Sequence, residues 1–254
     1  MSNTHEWVGA VALVTGASSG IGRAVAETLA AAGLDVAVCA RRTDRLEALA
    51  DELRGRHPDR RILVQPCDLR DEKQILRATE AVRRELGGID VRVNNAGLGH
   101  AAPLVSGSTE HWREMLEVNV LALCIFTREA ISDMRSRGDV GHVFHVSSMA
   151  AHRVPHGSGV YSATKFAVRS LTEGLRQELR EAGSNIRVTA ISPGFVETEF
   201  AQVFHDDAER ARETYARYTC LQPADVAAAI QYALLTPPHV QVHDILLRPT
   251  AQPD

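Results

Sequence analysis

Short apolar runs alternate with longer amphipathic stretches almost to the end of the chain. Residues 11–14 (Val-Ala-Leu-Val), 36–40, 62–64, 91–93, 142–146, 186–191 and 244–248 are brief, β-branched-rich and bounded by turn residues, which predicts seven strands. Between them, helical spacing of apolar positions predicts helices over about 20–32, 43–55, 71–86, 109–136, 159–182 and 223–235. Gly33 stops the first of these, Gly87-Gly88 closes the third, and Pro193-Gly194 cuts the sixth strand. Residues 195–221 follow as an irregular stretch.

Strands alternating with helices in this way imply βαβ units and a mainly parallel sheet covered on both faces. The expected fold is therefore α/β, a Rossmann-like doubly wound sheet of about seven strands. No linker, repeat or low-complexity segment divides the 254 residues, so one domain over 1–254 is expected. Ligands of such sheets bind outside the carboxyl ends of the strands.

Bulk properties narrow the function by exclusion. A net charge of -4 gives no basic footprint for nucleic acid. No apolar run reaches the roughly 20 residues of a membrane span, and Met1 to Trp7 lack a signal-peptide pattern, so a cytoplasmic protein is expected. Cys39, Cys67, Cys124 and Cys220 are widely spread without a Cys-x-x-Cys, which fits free thiols in a reducing compartment. The histidines form no His-x3-His or His-Glu-x-x-His pair, so no metal is expected.

Candidate chemistry falls at the carboxyl ends of strands. After the first strand stands Thr15-Gly16-Ala17-Ser18-Ser19-Gly20-Ile21-Gly22. Its glycines let backbone approach a pyrophosphate, whose charge the following helix amides and dipole favour. At the end of the second strand, Cys39-Ala40-Arg41-Arg42 has arginines where an acid would bind the ribose hydroxyls of NAD. A guanidinium there suits a 2′-phosphate and hence NADP(H), unless both arginines are merely solvated. Asp68 is suited either to an adenine amine or to capping the helix that begins near Asp71. Tyr161 and Lys165 are four residues apart, so they share one helix face, and a nearby ammonium is expected to lower the phenol pKa. That would suit Tyr161 to general acid/base work.

The order Gly-rich turn, Asn94-Asn95-Ala96-Gly97, Asn119, Ser148, Tyr161-x3-Lys165, Pro193-Gly194 resembles the short-chain dehydrogenase/reductase family over nearly the whole chain. The resemblance implies that Tyr161 donates or accepts the proton and that Ser148, rather than its neighbour Ser147, holds the substrate oxygen. Lys165 would hold the nicotinamide ribose and lower the tyrosine pKa, and Asn119 would position a water of the proton relay. The cofactor surface it implies begins with Gly16, Ser18, Ser19, Gly20, Ile21 and Gly22. It continues through Arg41, Arg42, Asp68 and Leu69, and Asn95, Ala96 and Gly97, with Asn94, shape its floor. Tyr161, Lys165, Pro193, Gly194 and Val196 complete it, with Thr198 on the nicotinamide amide.

Within that family the chain also resembles the branch of dehydrogenase/reductase member eleven, which reduces keto groups of steroids and small dicarbonyls. Insect farnesol dehydrogenases look similar. The segments carrying this likeness include 106–109, 118–123, 152–154, 172–180 and Leu247-Arg248-Pro249-Thr250. The stretch between Ser148 and Tyr161 is shorter and less apolar than in the animal member. Met149 and Ala150 on that stretch, with Phe195, Phe200 and Phe204 beyond Pro193-Gly194, are the expected substrate contacts. Residues 195–221 are expected to form a substrate lid, the alternative being ordinary surface helix.

The resulting expectation is an NADPH-dependent carbonyl reductase or alcohol dehydrogenase for apolar ketones or secondary alcohols. An NADP-dependent β-hydroxy acid or hydroxy amino acid dehydrogenase is the alternative, with Arg153 as the candidate carboxylate partner. A catalytically silent NADP sensor is the rival of another class. The resemblance also implies a homodimer or homotetramer sharing the faces of 109–136 and 159–182, where Leu171 and Leu175 are either interface or core.

Overall fold

The computed structural model describes residues 7–253. Seven strands, Val11–Thr15 (β1), Asp35–Ala40 (β2), Ile62–Pro66 (β3), Val91–Asn94 (β4), His142–Val146 (β5), Arg187–Pro193 (β6) and Asp244–Leu247 (β7), form one sheet in the order β3-β2-β1-β4-β5-β6-β7. Every pairing is parallel. The chain winds outward from β1 to β3, then crosses to the other side of β1 for β4 through β7. A crevice therefore opens between the carboxyl ends of β1 and β4.

The strand runs are apolar throughout because both faces are covered. Along β1, Ala12 and Val14 enter one apolar layer with Val25 and Leu29 of Gly20–Ala31 (α1), Leu46 of Thr43–Arg56 (α2) and Ile230 of Pro223–Leu234 (α9). Val11 and Leu13 enter the other, with Ile75 of Glu72–Leu86 (α3), Phe126 of Ala122–Ser136 (α5) and Leu179 of Gly159–Glu181 (α6). This is the period-2 alternation of a strand buried on both sides. Leu175 belongs to the second layer, whereas Leu171 is exposed.

Element ends follow local chemistry. Asp71 caps α3 by accepting from the Lys73 and Gln74 amides, and Gly87 ends it at φ 95°. Three elements differ from the sequence expectation. The helix expected over 109–136 is Thr109–Leu116 (α4) and α5 joined through a π-helical turn at Glu117–Leu121, a local insertion that a periodic apolar pattern does not reveal. Pro193 ends β6 instead of lying beyond it. Ala190 and Gly194 donate toward β7, so the donor that Pro193 lacks would face the β5 side, where pairing has already ended at Ile191. The stretch 195–221 is not irregular: it contains Phe200–His205 (α7) and Ala208–Ala216 (α8), each too short to carry a clear periodicity. Its ends are pinned together, Leu221 donating to the Phe195 carbonyl at 3.0 Å and Glu197 to the Leu221 carbonyl at 2.9 Å.

Candidate active site

The Gly-rich turn is held by the segment after β4. Asn95 donates its side-chain amide to the Thr15 carbonyl at 2.8 Å, and the Asn95 and Ala96 amides reach Thr15 Oγ1 at 3.2 and 3.3 Å. Gly16 and Gly20 take φ of 69° and 53°, which favours glycine. At Gly22 a Cβ would collide with the Gly16 carbonyl oxygen and come within 2.5 Å of Asn95 Nδ2. A backbone cradle with no room for side chains, opening onto α1, fits a dinucleotide pyrophosphate. Ile21 packs on the core beneath it, and Thr198 lies against Gly20. Gly97 faces Lys165 and Asn119, each 3.4 Å from where its Cβ would stand. Asn94 differs from the expectation: its side chain accepts from Arg92 at 2.7 Å and donates to Thr127 at 2.9 Å, so it points into the core and not at the cofactor floor.

Four side chains from three elements converge beside this cradle. Asn119 sits on the π-helical turn, whose extra residue turns it inward. Its amide accepts from the Leu98 backbone at 2.9 Å and donates to the Leu98 carbonyl at 2.8 Å and to Thr164 Oγ1 at 3.0 Å. Ser148 follows β5, accepts from the Ala150 amide at 3.0 Å and hydrogen-bonds the Tyr161 phenol. Lys165 donates to the Val146 carbonyl at 3.0 Å, and its ammonium lies 5.8 Å from the Tyr161 ring centre. Ser147, by contrast, turns its hydroxyl toward the Lys165 carbonyl inside the core. Pro193 ends β6, Gly194 follows it against Gln252 and Arg248, and Val196 is buried against Leu221.

Burial governs the electrostatics of the pair. Burial raises the Tyr161 phenol to about 12, only partly opposed by the Ser148 hydrogen bond. Burial also lowers Lys165 to about 8, and no carboxylate among the described residues pairs with it. Loss of water around the phenol outweighs the attraction of an ammonium that is itself poorly solvated and engaged by Val146. In this structure burial therefore favours the neutral phenol of Tyr161.

At the end of β2, Arg42 rather than Arg41 reaches the turn, donating to Ser18 Oγ at 3.0 Å and Ser19 Oγ at 2.6 Å. Arg41 is exposed beside Asp68. Arg45, missed in the sequence, stands three residues after Arg42 in the first turn of α2, and its nearness to Arg41-Arg42 was the available signal. Glu199 accepts from both, 2.7 Å from Arg42 and 2.6 Å from Arg45. Asp68 does not cap α3: its carboxylate accepts from the Arg70 amide at 3.0 Å and pairs with the Arg70 guanidinium at 2.6 Å, while Asp71 takes the cap. Leu69 packs on the core below.

On the substrate side, the Phe200 ring lies 5.3 Å from that of Tyr161, and Phe204 meets the same ring edge-on at 6.2 Å. Gly99 makes this approach possible, since a Cβ there would come within 2.8–3.1 Å of Phe204, Phe200 and Tyr161. Met149 and Ala150 are buried on a single 3₁₀ turn, Met149 touching the Gln252 amide. Phe195 is half-exposed and packs edge-on against Tyr218. Neither Gly99 nor Gln252 carries a motif that would have marked it. No group of histidines, cysteines or acids among the described residues could hold a metal, and all four cysteines are free. Nor is any described helix long and apolar enough to cross a membrane.

A parallel sheet with a glycine cradle at its switch point, beside a Tyr–Lys–Ser cluster under an aromatic cover, defines a nicotinamide-dependent oxidoreductase acting on alcohol or carbonyl groups. The model of the short chain dehydrogenase family matches residues 10–209, and the chain belongs to that family. It is 53% identical to dehydrogenase/reductase SDR family member 11 of Bos taurus, over 98% of this chain and 99% of that protein. It is 40% identical to farnesol dehydrogenase of Aedes aegypti, over 97% and 98% of the two chains. Among solved structures, the closed form of a serine dehydrogenase complexed with NADP+ superposes with a TM-score of 0.89 at 33% identity, covering 96% of each chain.

Proposed function

We propose that this protein is an NADPH-dependent carbonyl reductase, reversibly an alcohol dehydrogenase, for apolar ketones and secondary alcohols. The observation that carries this reading is the pair of phenyl rings of α7 packed on Tyr161. Such a surface accepts hydrocarbon next to the reacting carbon. The farnesol dehydrogenase relative, by its name, acts on a terpenoid alcohol, in keeping with that surface.

Bound in the cradle, the dinucleotide supplies or accepts the hydride. The residues of the chain do the rest. Ser148 holds the substrate oxygen beside the phenol. Tyr161, protonated through neutral pH, gives its proton to that oxygen during reduction. Lys165 presents a positive charge at the cradle floor, next to Gly97. Asn119 ties the Leu98 backbone to Thr164, one residue from Lys165, and so fixes the wall on which the cluster stands. Alcohol oxidation needs the phenolate, so its rate should climb with pH while reduction stays level across neutrality.

The second reading is a hydroxy amino acid dehydrogenase, favoured by the likeness to serine dehydrogenase. It requires a cation for the substrate carboxylate, and Arg153 already donates to the Pro253 carbonyl at 3.1 Å. A panel of apolar ketones, secondary alcohols and β-hydroxy acids, followed by nicotinamide absorbance, separates the two. Faster turnover of β-hydroxy acids than of any apolar ketone or alcohol transfers the assignment to the second reading.

Two substitutions test the parts. Arg42→Ala removes a charge-assisted contact to a 2′-phosphate and should weaken NADPH binding by about 1.5–3 kcal/mol while sparing NADH. Arg41→Ala should narrow the same preference less, because Arg41 stands further from the turn. A wild type that prefers NADH in side-by-side kinetics sinks the NADP assignment. Phe200→Ala or Phe204→Ala should raise KM for bulky ketones more than for small ones, since lost apolar contact removes about 25 cal/mol per Å². Equal effects on both sizes would count against residues 195–221 as a substrate lid.

The exposed Leu116 and Leu121 of the π-turn region and Phe166 and Leu171 of α6 form an apolar surface on the helices that the family resemblance assigns to a dimer. A homodimer or homotetramer joined through that surface is part of this proposal.

A further inference from the structure

The lid and the arginines at the end of β2 are joined by one carboxylate. Glu199 immediately precedes α7, whose Phe200 and Phe204 cover Tyr161. It reaches back across the crevice, 157 residues along the chain, to accept from Arg42 at 2.7 Å and from Arg45 at 2.6 Å. Arg42 simultaneously donates to both serine hydroxyls of the Gly-rich turn. Two guanidinium groups and two hydroxyls around one carboxylate form the donor set that a phosphate monoester takes. Although its partial burial acts the other way, hydrogen bonds from Arg45 and Arg42 hold Glu199 down to about 2, so it is an anion throughout the working pH range.

This arrangement leads beyond cofactor choice, although it rests on the reading that the dinucleotide carries a 2′-phosphate. We propose that Glu199 is a specificity-determining residue: its carboxylate competes with the 2′-phosphate for Arg42, Arg45 and the Ser18 and Ser19 hydroxyls, so that NADP(H), unlike NAD(H), releases the base of the substrate lid. A phosphate dianion and the carboxylate repel each other and cannot both take the same guanidinium edges. The ion pairs of Glu199 are half-exposed, and pairs of that kind are individually weak, so a dianion with several charge-assisted bonds displaces them. Because Thr198 and Phe200 flank Glu199, displacement at the adenosine end moves the segment that meets both the Gly-rich turn and Tyr161. One chemical group on the cofactor would thereby be sensed at the substrate face, a coupling that must be reciprocal.

The test is calorimetric titration of the full chain with adenosine 2′,5′-bisphosphate and with adenosine 5′-monophosphate, for wild type and Glu199→Gln. Glutamine keeps the side chain's size but removes its charge. The bisphosphate should bind Glu199→Gln about tenfold more tightly than wild type, and the monophosphate should bind both equally. Hydrogen exchange across 199–217 supplies a second readout. In wild type the bisphosphate, and not the monophosphate, should speed exchange of the α7 amides, and in Glu199→Gln those amides should exchange fast before any nucleotide is added. Unchanged or weaker bisphosphate binding in Glu199→Gln overturns the inference, the weaker result meaning that Glu199 instead arranges the arginines for the phosphate. Exchange indifferent to the 2′-phosphate in wild type also overturns it. Wild type that binds the two nucleotides equally would remove the NADP reading itself, a distinct outcome.

Discussion

Tyr161→Phe should lower turnover by about 10²–10⁴-fold, the usual contribution of a positioned proton donor. The ring is retained, so the contacts with Phe200, Phe204 and the Gly99 backbone persist, and binding of the dinucleotide should change little. The substitution removes one hydroxyl whose hydrogen bond goes to Ser148. Its loss leaves Ser148 still bonded to the Ala150 amide, so the fold should hold and the loss be chemical. Because the wild-type phenol is pushed up to about 12, reduction should not lose rate as pH rises through 7 to 9 on this group's account. A Tyr161→Phe protein that keeps near-normal kcat, or one whose loss lies wholly in KM, would remove Tyr161 from the proton-transfer role.

The apolar runs were legible in the sequence because buried parallel strands leave no other pattern, and all seven strands fall where their runs stand. The Gly-rich turn and the Tyr–Lys pair were legible because backbone approach and helix spacing tie residue type to position. What stayed hidden depends on partners distant in sequence. The inward turn of Asn94 follows from Arg92, a buried guanidinium that also lies 4.0 Å over the Phe126 ring. The high pKa of Tyr161 follows from how much protein surrounds it, which spacing to Lys165 does not encode. Glu199 was invisible as a partner of Arg42 because nothing local links a residue after β6 to one after β2. The helices of 195–221 escaped because six and nine residues give too few turns for periodicity to register.

Lys165→Met should separate function from stability, with turnover falling by at least about 10²-fold while thermal stability rises. In wild type an ammonium is buried with the Val146 carbonyl as its one acceptor among the described residues, and burial lowers its pKa from 10.5 to about 8. The folded protein therefore binds this proton less tightly than the unfolded chain. Its charged form is a cost carried in full below pH 8 and relieved as pH climbs from 8 to 10.5. The size is about 3 kcal/mol, at 1.36 kcal/mol per pKa unit. Methionine keeps the length and apolar stem but leaves the Val146 carbonyl without its donor, which takes back about 1–2 kcal/mol. The net gain is a melting temperature higher by a few degrees at pH 7, given about 2–4 °C per kcal/mol for a chain of this size. That advantage should shrink as pH rises toward 10.5, because the wild-type lysine sheds its charge and with it the cost. Tyr161 is present in both proteins and cancels from the comparison. A lower melting temperature for Lys165→Met at pH 7, or a gap indifferent to pH between 7 and 10, would mean that the ammonium is adequately solvated in the folded state. Lost turnover together with gained stability would mark Lys165 as a charge retained in an unfavourable place because the reaction uses it.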